Sequence, residues 1–180
     1  MRIRKILRNT ALAVALTVPG AVAATAPAQA VTARCAPNWT GEGSVANEQV
    51  RDGNGNWVNA GWVSVEYDYC GNTRSVFTWN NWFRTHAHPG ITGAWVRTWI
   101  QGELWAGDGK SSGVVGSLDG PSVASPAIYV HANNEDRWYA ASLLHITYSN
   151  GAARDCAAYS GTWDFHVGKE VDGPQAGSCG

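Results

Sequence analysis

Gly93-Ala94-Trp95-Val96-Arg97-Thr98-Trp99-Ile100-Gln101-Gly102-Glu103-Leu104-Trp105 separates into two unlike faces when it is read two residues at a time. Ala94, Val96, Thr98, Ile100, Gly102 and Leu104 make one face, and Trp95, Arg97, Trp99, Gln101, Glu103 and Trp105 make the other. A period of two is the signature of a β-strand. The composition around it agrees. The chain has 180 residues with 21 Gly, 10 Trp and 15% charged residues, and beyond residue 30 its leucines are Leu104, Leu118, Leu143 and Leu144. So few leucines among so many Gly, Trp, Tyr, Val and Thr argue against a helical bundle and for pleated sheet with many turns. The hydrophobic fraction of 44% excludes a disordered chain.

Working outward, Val63-Ser64-Val65-Glu66-Tyr67-Asp68-Tyr69 alternates without an error and predicts a second half-buried strand. It must turn at Cys70-Gly71-Asn72-Thr73. A three-residue loop, Gly71-Asn72-Thr73, sets Tyr67 opposite Phe77 and Val65 opposite Trp79, which keeps the apolar positions on one face. Residues 31–56 read as a loosely structured segment, 82–92 as irregular, and 107–126 as a loop with a short strand at 114–118. Ile128 to Ala132 and Arg137 to Ser149 flank Asn133-Asn134-Glu135-Asp136, which reads as a hairpin tip. The second of these strands is apolar in both phases and is expected to be central and buried on both sides. Asn150-Gly151 marks a further hairpin, and a last strand around 162–167 leads into a Gly-rich tail. These features predict an all-β chain: an antiparallel β-sandwich or barrel of about eight short strands with two disulfides.

Arg2, Arg4, Lys5 and Arg8 precede an uncharged run that ends in Ala28-Gln29-Ala30. This is the pattern of a secretory signal peptide over residues 1–30, with earlier cutting after Ala23 or Ala24 as the alternative. It leaves one β-rich extracellular domain over 31–180 and no membrane span after cleavage. Cleavage takes Lys plus Arg from 13 to 9 against an unchanged 14 Asp plus Glu, a formal charge of −5. Nucleic acid is then a poor partner, because phosphate binding needs clustered cations. Cys35, Cys70, Cys156 and Cys179 all lie in the exported part and form two disulfides in an oxidising compartment. Of the three pairings, Cys35 with Cys70 and Cys156 with Cys179 each close a local loop. The cysteines are too widely spaced for a zinc knuckle.

The Trp95, Arg97, Trp99, Gln101, Glu103 and Trp105 face suits a sugar ligand: flat rings stack on pyranose faces while the polar side chains bond hydroxyls. Trp95 and Trp99 lie about 13 Å apart along a strand, a span of two to three sugar units. The rival reading packs these indoles into a core. Glu66 and Asp68 point the same way about 7 Å apart, and paired carboxylates are the working groups of glycosidases; a solvated sheet face accounts for them equally. Val65-Glu66-Tyr67 resembles part of the nucleophile strand of jelly-roll xylanases, which are also small, secreted and Trp-rich. The resemblance covers three residues. Nothing downstream matches the second catalytic strand of that family, for Glu103 is followed by Leu104 and Trp105, and Glu170 sits in the tail.

His86-Ala87-His88 sets two imidazoles on one side of an extended segment, a weak metal pattern for which His131, His145 and His166 are the remaining partners. Asp52-Gly53-Asn54-Gly55-Asn56 begins like a calcium loop but has Trp57 at the sixth position and Val63 at the twelfth, so it reads as a turn. Asn38-Trp39-Thr40 fits a glycosylation acceptor, and no G-x-S-x-G elbow is present. The expectation is a monomeric, cofactor-free secreted protein that binds a polysaccharide or cell-envelope glycan through the tryptophan face. A protease inhibitor or toxin-like module using the 107–126 loop to bind an extracellular protein is the second reading. A small glycoside hydrolase using Glu66 and Asp68 is the third.

Overall fold

The computed structural model describes residues 38–103, 111–132 and 135–180. Period-two alternation does build the strands, but the described residues form twelve of them, in two six-stranded sheets. The first sheet runs β12 (Gly177–Cys179), β1 (Thr40–Arg51), β2 (Trp57–Tyr67), β3 (Asn72–Trp79) and β6 (Ser122–Ala124), with β7 (Ile128–Tyr129) also paired to β3. The second runs β11 (Lys169–Asp172), β10 (Thr162–Asp164), β8 (Arg137–Tyr148), β4 (Ile91–Gly102) and β5 (Val114–Ser117), with β9 (Ala153–Tyr159) also paired to β8. The strand pairs are antiparallel except β1 with β12, which is parallel.

The inner faces of the sheets share one core. Val63, Val65 and Phe77 from the first sheet and Val96, Ile100, Trp138, Leu144 and Ile146 from the second are fully buried in a single cluster. Each such side chain contributes about 1.5–3 kcal/mol relative to exposure. On one side the sheets are pinned by the predicted disulfide Cys156–Cys179, which joins β9 to β12 with Cα atoms 5.3 Å apart. On the other side β5 and β6 approach so closely that a Cβ on Gly116 would strike Val123. Cys70 is also disulfide-bonded, and Cys35 lies outside the described residues.

Several expectations are corrected. The segment expected to be loose holds β1, a twelve-residue strand near the middle of the first sheet. Its buried phase is Ala46, Glu48 and Val50, so a carboxyl in the inward row hid the alternation. The β2–β3 register also differs: Tyr67 pairs with Thr73 and Val63 with Phe77. Which face points inward is as expected, but the loop lies two residues earlier, at Tyr69-Cys70-Gly71, closed by the Asp68 N–H donating to the Asn72 carbonyl at 3.1 Å. The Asp68 carboxylate accepts the N–H groups of Cys70 at 2.7 Å and Asn72 at 2.9 Å, and the Asn72 amide at 2.7 Å. Two loop residues are left-handed, Tyr69 at φ 55° and Gly71 at φ 91°. The β1–β2 turn is built alike, with Asp52 accepting from Asn54 and Asn56 and Gly55 at φ 84°. That confirms a turn there.

The expected hairpin of 128–132 with 137–149 does not form, since β7 pairs with β3 in the first sheet and β8 belongs to the second; Asn133 and Asn134 lie outside the described residues. The crossing is tied by the Trp138 indole, which donates to the Val130 carbonyl at 2.7 Å. β8 is central as expected but buried on one side; outward Tyr139, Leu143 and His145 are half-buried. A short helix α1 (Asn81–Thr85) starts at the Asn80 cap within the segment expected to be irregular. The Gly-rich tail carries β11 and β12. The Asn150-Gly151 hairpin is as predicted, with Gly151 at φ 83° and the Tyr148 N–H donating to the Ala152 carbonyl.

Candidate functional site

Val96, Thr98, Ile100 and Gly102 of β4 are buried, so Trp95, Arg97, Trp99 and Gln101 stand on the outer face of the second sheet. The tryptophans of this strand are therefore not the core residues that the rival reading made them. The register places Ser117, Trp95, His145 and Asp155 in one row across β5, β4, β8 and β9. Trp99, Ala141 and Tyr159 form a row four residues further along, and Gln101 lies beside Tyr139 in the next outward one. Strands are about 4.8 Å apart, so Trp99 and Tyr159 rise some 10 Å from each other across an alanine floor.

That trough is part of a groove of about 610 Å³ lined by Trp99, Gln101, Glu103, Tyr139 and Tyr159, with Asp172 and Gln175 on its far wall. Its size is that of an organic ligand site. Tyr139 and Tyr159 meet edge to face with ring centroids 5.9 Å apart. Burial raises the Tyr139 pKa above that of an ordinary phenol, with Tyr159 and Glu103 adding to the effect. The Trp99 indole donates to Gln101 Oε1 at 3.1 Å, which fixes the amide and leaves its NH2 free to donate. Ser160, also on the wall, is engaged in the fold, accepting the Ala140 N–H and donating to the Gly161 carbonyl.

At one end of the groove Glu103 lies 3.3 Å from Arg137, which also holds Asp164 at 3.0 Å. These two carboxylates keep the guanidinium pKa above its ordinary value. Burial pushes Asp164 upward, but Arg137 and the N–H groups of Val167 and His166 outweigh it and hold the carboxyl below its usual range. Asp172 has no ion-pair partner among the described residues. On the other side of Trp99 a smaller pocket of about 240 Å³ contains Arg97, Ser111, Ser112 and Leu143. Arg97 lies across Gly113, where a Cβ would meet its Nε. Trp99 and Gln101 line both hollows and form the partition between them.

The other predicted residues are placed differently. Trp95 is outward, but its ring is stacked on His145 at 4.8 Å, outside the groove. Trp105 lies outside the described residues. Glu66 and Asp68 do not form a pair facing a cleft: Glu66 binds Arg74 at 2.7 Å, and Arg74 in turn lies 4.0 Å over the Trp39 ring. Asp68 leaves the strand to cap its loop; burial pushes its pKa up, but the bonds from Asn72 and Cys70 prevail and lower it. His86 Nδ1 lies 3.1 Å from the Trp82 carbonyl and His88 Nε2 lies 3.0 Å from that of Phe83. His131 pairs with Asp136 and His145 with Asp155. Among the described residues no group of three or more His, Cys, Asp or Glu is gathered to hold a metal.

Tyr139, Tyr159 and Asp172 are site residues that the sequence reading did not single out. The Asn150-Gly151 hairpin carried a usable signal, because a three-residue turn there sets Tyr159 opposite Ala141. No described helix is long and apolar enough to cross a membrane. Compared with known families, curated proteins and solved structures, the chain matches none.

Proposed function

We propose that this is a secreted, non-catalytic protein that binds polysaccharide or cell-envelope glycan through the outer face of the second sheet. The observation that carries the reading is the convergence of Trp99, Tyr139 and Tyr159 on one open groove, with Gln101 and Gln175 at its walls. Rings of this kind cover the apolar faces of pyranoses, and amides bond their hydroxyls. Half-buried rings on the outer face of a sheet suit a chain that lies along it. The basic and apolar start of the chain and the Cys156–Cys179 bridge support export to an oxidising compartment. Glu66 and Asp68, the carboxylates a hydrolase would need at liberty, are held by Arg74 and by loop N–H groups.

The test is depletion of the purified exported protein from solution by insoluble chitin, cellulose, xylan and peptidoglycan. Tryptophan fluorescence and reducing-sugar release are followed on the same samples. Retention with an indole fluorescence change and no sugar release is expected. Retention by none of the four would overturn the reading, and sugar release would replace a binding protein with a hydrolase.

A further inference from the structure

The groove is uneven in charge as well as in shape. Among the described residues it is lined by two carboxylates, Glu103 and Asp172, and by no Lys or Arg. Glu103 is partly balanced by Arg137 at 3.3 Å, which stands behind it and does not line the groove. Asp172, on the exposed edge strand β11, is balanced by nothing among the described residues. Three electron-rich rings, Trp99, Tyr139 and Tyr159, share the same space. Aromatic faces attract cations as well as apolar ring faces, and a neighbouring carboxylate adds to that attraction. A purely neutral sugar would leave the Asp172 charge uncompensated, while an acidic sugar would be repelled.

We propose that the groove selects glycans that carry free amino groups, with an ammonium of the sugar meeting Asp172 while the pyranose rings lie against Trp99. The inference rests on the glycan-binding reading above and deepens it. A chain of amino sugars matches three features together: ring faces for the indole, hydroxyls for Gln101 and Gln175, and positive charge for the far wall. The volume of about 610 Å³ is much larger than a lone ammonium group needs.

Titration calorimetry of the exported protein with four probes tests this: a glucosamine hexamer, an N-acetylglucosamine hexamer, cellohexaose and oligolysine. The two hexamers share linkage and ring and differ in charge. The glucosamine hexamer is expected to bind about tenfold more tightly than the acetylated one at low salt. That advantage should shrink as salt rises, and in Asp172→Asn the ratio of the two hexamers' affinities should fall to about one. Asp172 is exposed and its carboxylate has no ion-pair partner among the described residues, so unchanged thermal unfolding of the variant is the folding control. Equal or weaker binding of the glucosamine hexamer, with the neutral sugars bound, overturns the ammonium site and leaves glycan binding standing. Oligolysine bound as tightly as the glucosamine hexamer overturns it too, since charge alone would then suffice. Binding of none of the four overturns the ammonium site, and retention by none of the insoluble glycans of the depletion assay overturns both readings.

Discussion

The two sheets use their carboxylates in opposite ways. Every acidic side chain at the middle of the first sheet is committed to the fold: Glu48 points into the core and accepts the Ser142 hydroxyl at 2.8 Å, Glu66 holds Arg74, and Asp68 ties its loop. On the outer face of the second sheet Glu103 and Asp172 instead border open space beside three rings. An alternating strand with acidic outward positions looks the same in both places. The difference is whether a partner already fills the carboxylate's bonding capacity, and of these five carboxylates Asp172 alone has no partner among the described residues, while Glu103 shares Arg137 with Asp164.

The largest test of this division is Glu48. It is fully buried, one of its oxygens has no hydrogen-bond partner, and burial pushes its pKa from 4.5 up to about 8 despite the bond from Ser142. The native state therefore keeps a proton that the unfolded chain releases. This contribution is fully present below about pH 4.5 and is lost as pH rises toward 8, at about 1.4 kcal/mol per pH unit. Urea unfolding between pH 5 and 8 is expected to show that decline, and Glu48→Gln, which mimics the protonated carboxyl, should flatten it. A wild-type profile that rises across this interval would place the proton elsewhere.

Asp68 has the opposite sign. Its pKa is lowered in the fold, so its contribution is present above the pKa of the unfolded carboxyl and disappears as the solution is acidified. Asp68→Ala removes the acceptor of three hydrogen bonds and should cost about 2–3 kcal/mol. Glu66→Ala, which breaks a half-exposed pair, should cost less than about 1 kcal/mol. Denaturant midpoints of the two variants check the ranking, and neither should alter glycan binding. A loss of binding in Glu66→Ala with stability intact would move the site to the first sheet.

Trp99→Ala is the counterpart on the second sheet, with binding as its readout. The ring stands between the two hollows, so its removal should weaken glycan binding by about 1–3 kcal/mol. The fully buried Val96, Thr98 and Ile100 remain in place beneath it, and unfolding should therefore shift by less than about 1 kcal/mol. A variant that binds normally but unfolds early would make Trp99 a packing residue, and the contrast between the sheets would collapse.

The sequence was legible wherever one strand's own pattern carried the information. β4 shows its buried and outward rows residue by residue, and the hairpin at Asn150-Gly151 follows from local turn chemistry. Legibility failed where a side chain replaced the backbone in deciding geometry. The Asp68 carboxylate ties a loop at Tyr69-Cys70-Gly71 and with it the β2–β3 register, although alternation alone is equally satisfied with the loop two residues later. Glu48 broke the apolar row of β1 and hid a central strand. The groove was half visible: Trp99, Gln101 and Glu103 lie on one strand, whereas Tyr139, Tyr159 and Asp172 reach it from β8, β9 and β11. Neighbour order among strands is not written in any single strand's periodicity.

The smallest expected effect separates two residues that the sequence treats alike. Trp95 and Trp99 occupy equivalent outward positions four residues apart, and as a bare stripe they would be twin anchors for one sugar chain. In the fold Trp95 is already stacked on His145, with ring planes 15° apart, and His145 is held by Asp155 at 2.7 Å. Its face is therefore covered by a protein ring, and it does not line the groove. Trp95→Ala should change glycan affinity by less than about 0.5 kcal/mol, the range of a surface substitution. If calorimetry finds instead a loss equal to that of Trp99→Ala, the ligand runs along β4 across both indoles, and the binding unit is the strand rather than the groove between β4 and β9.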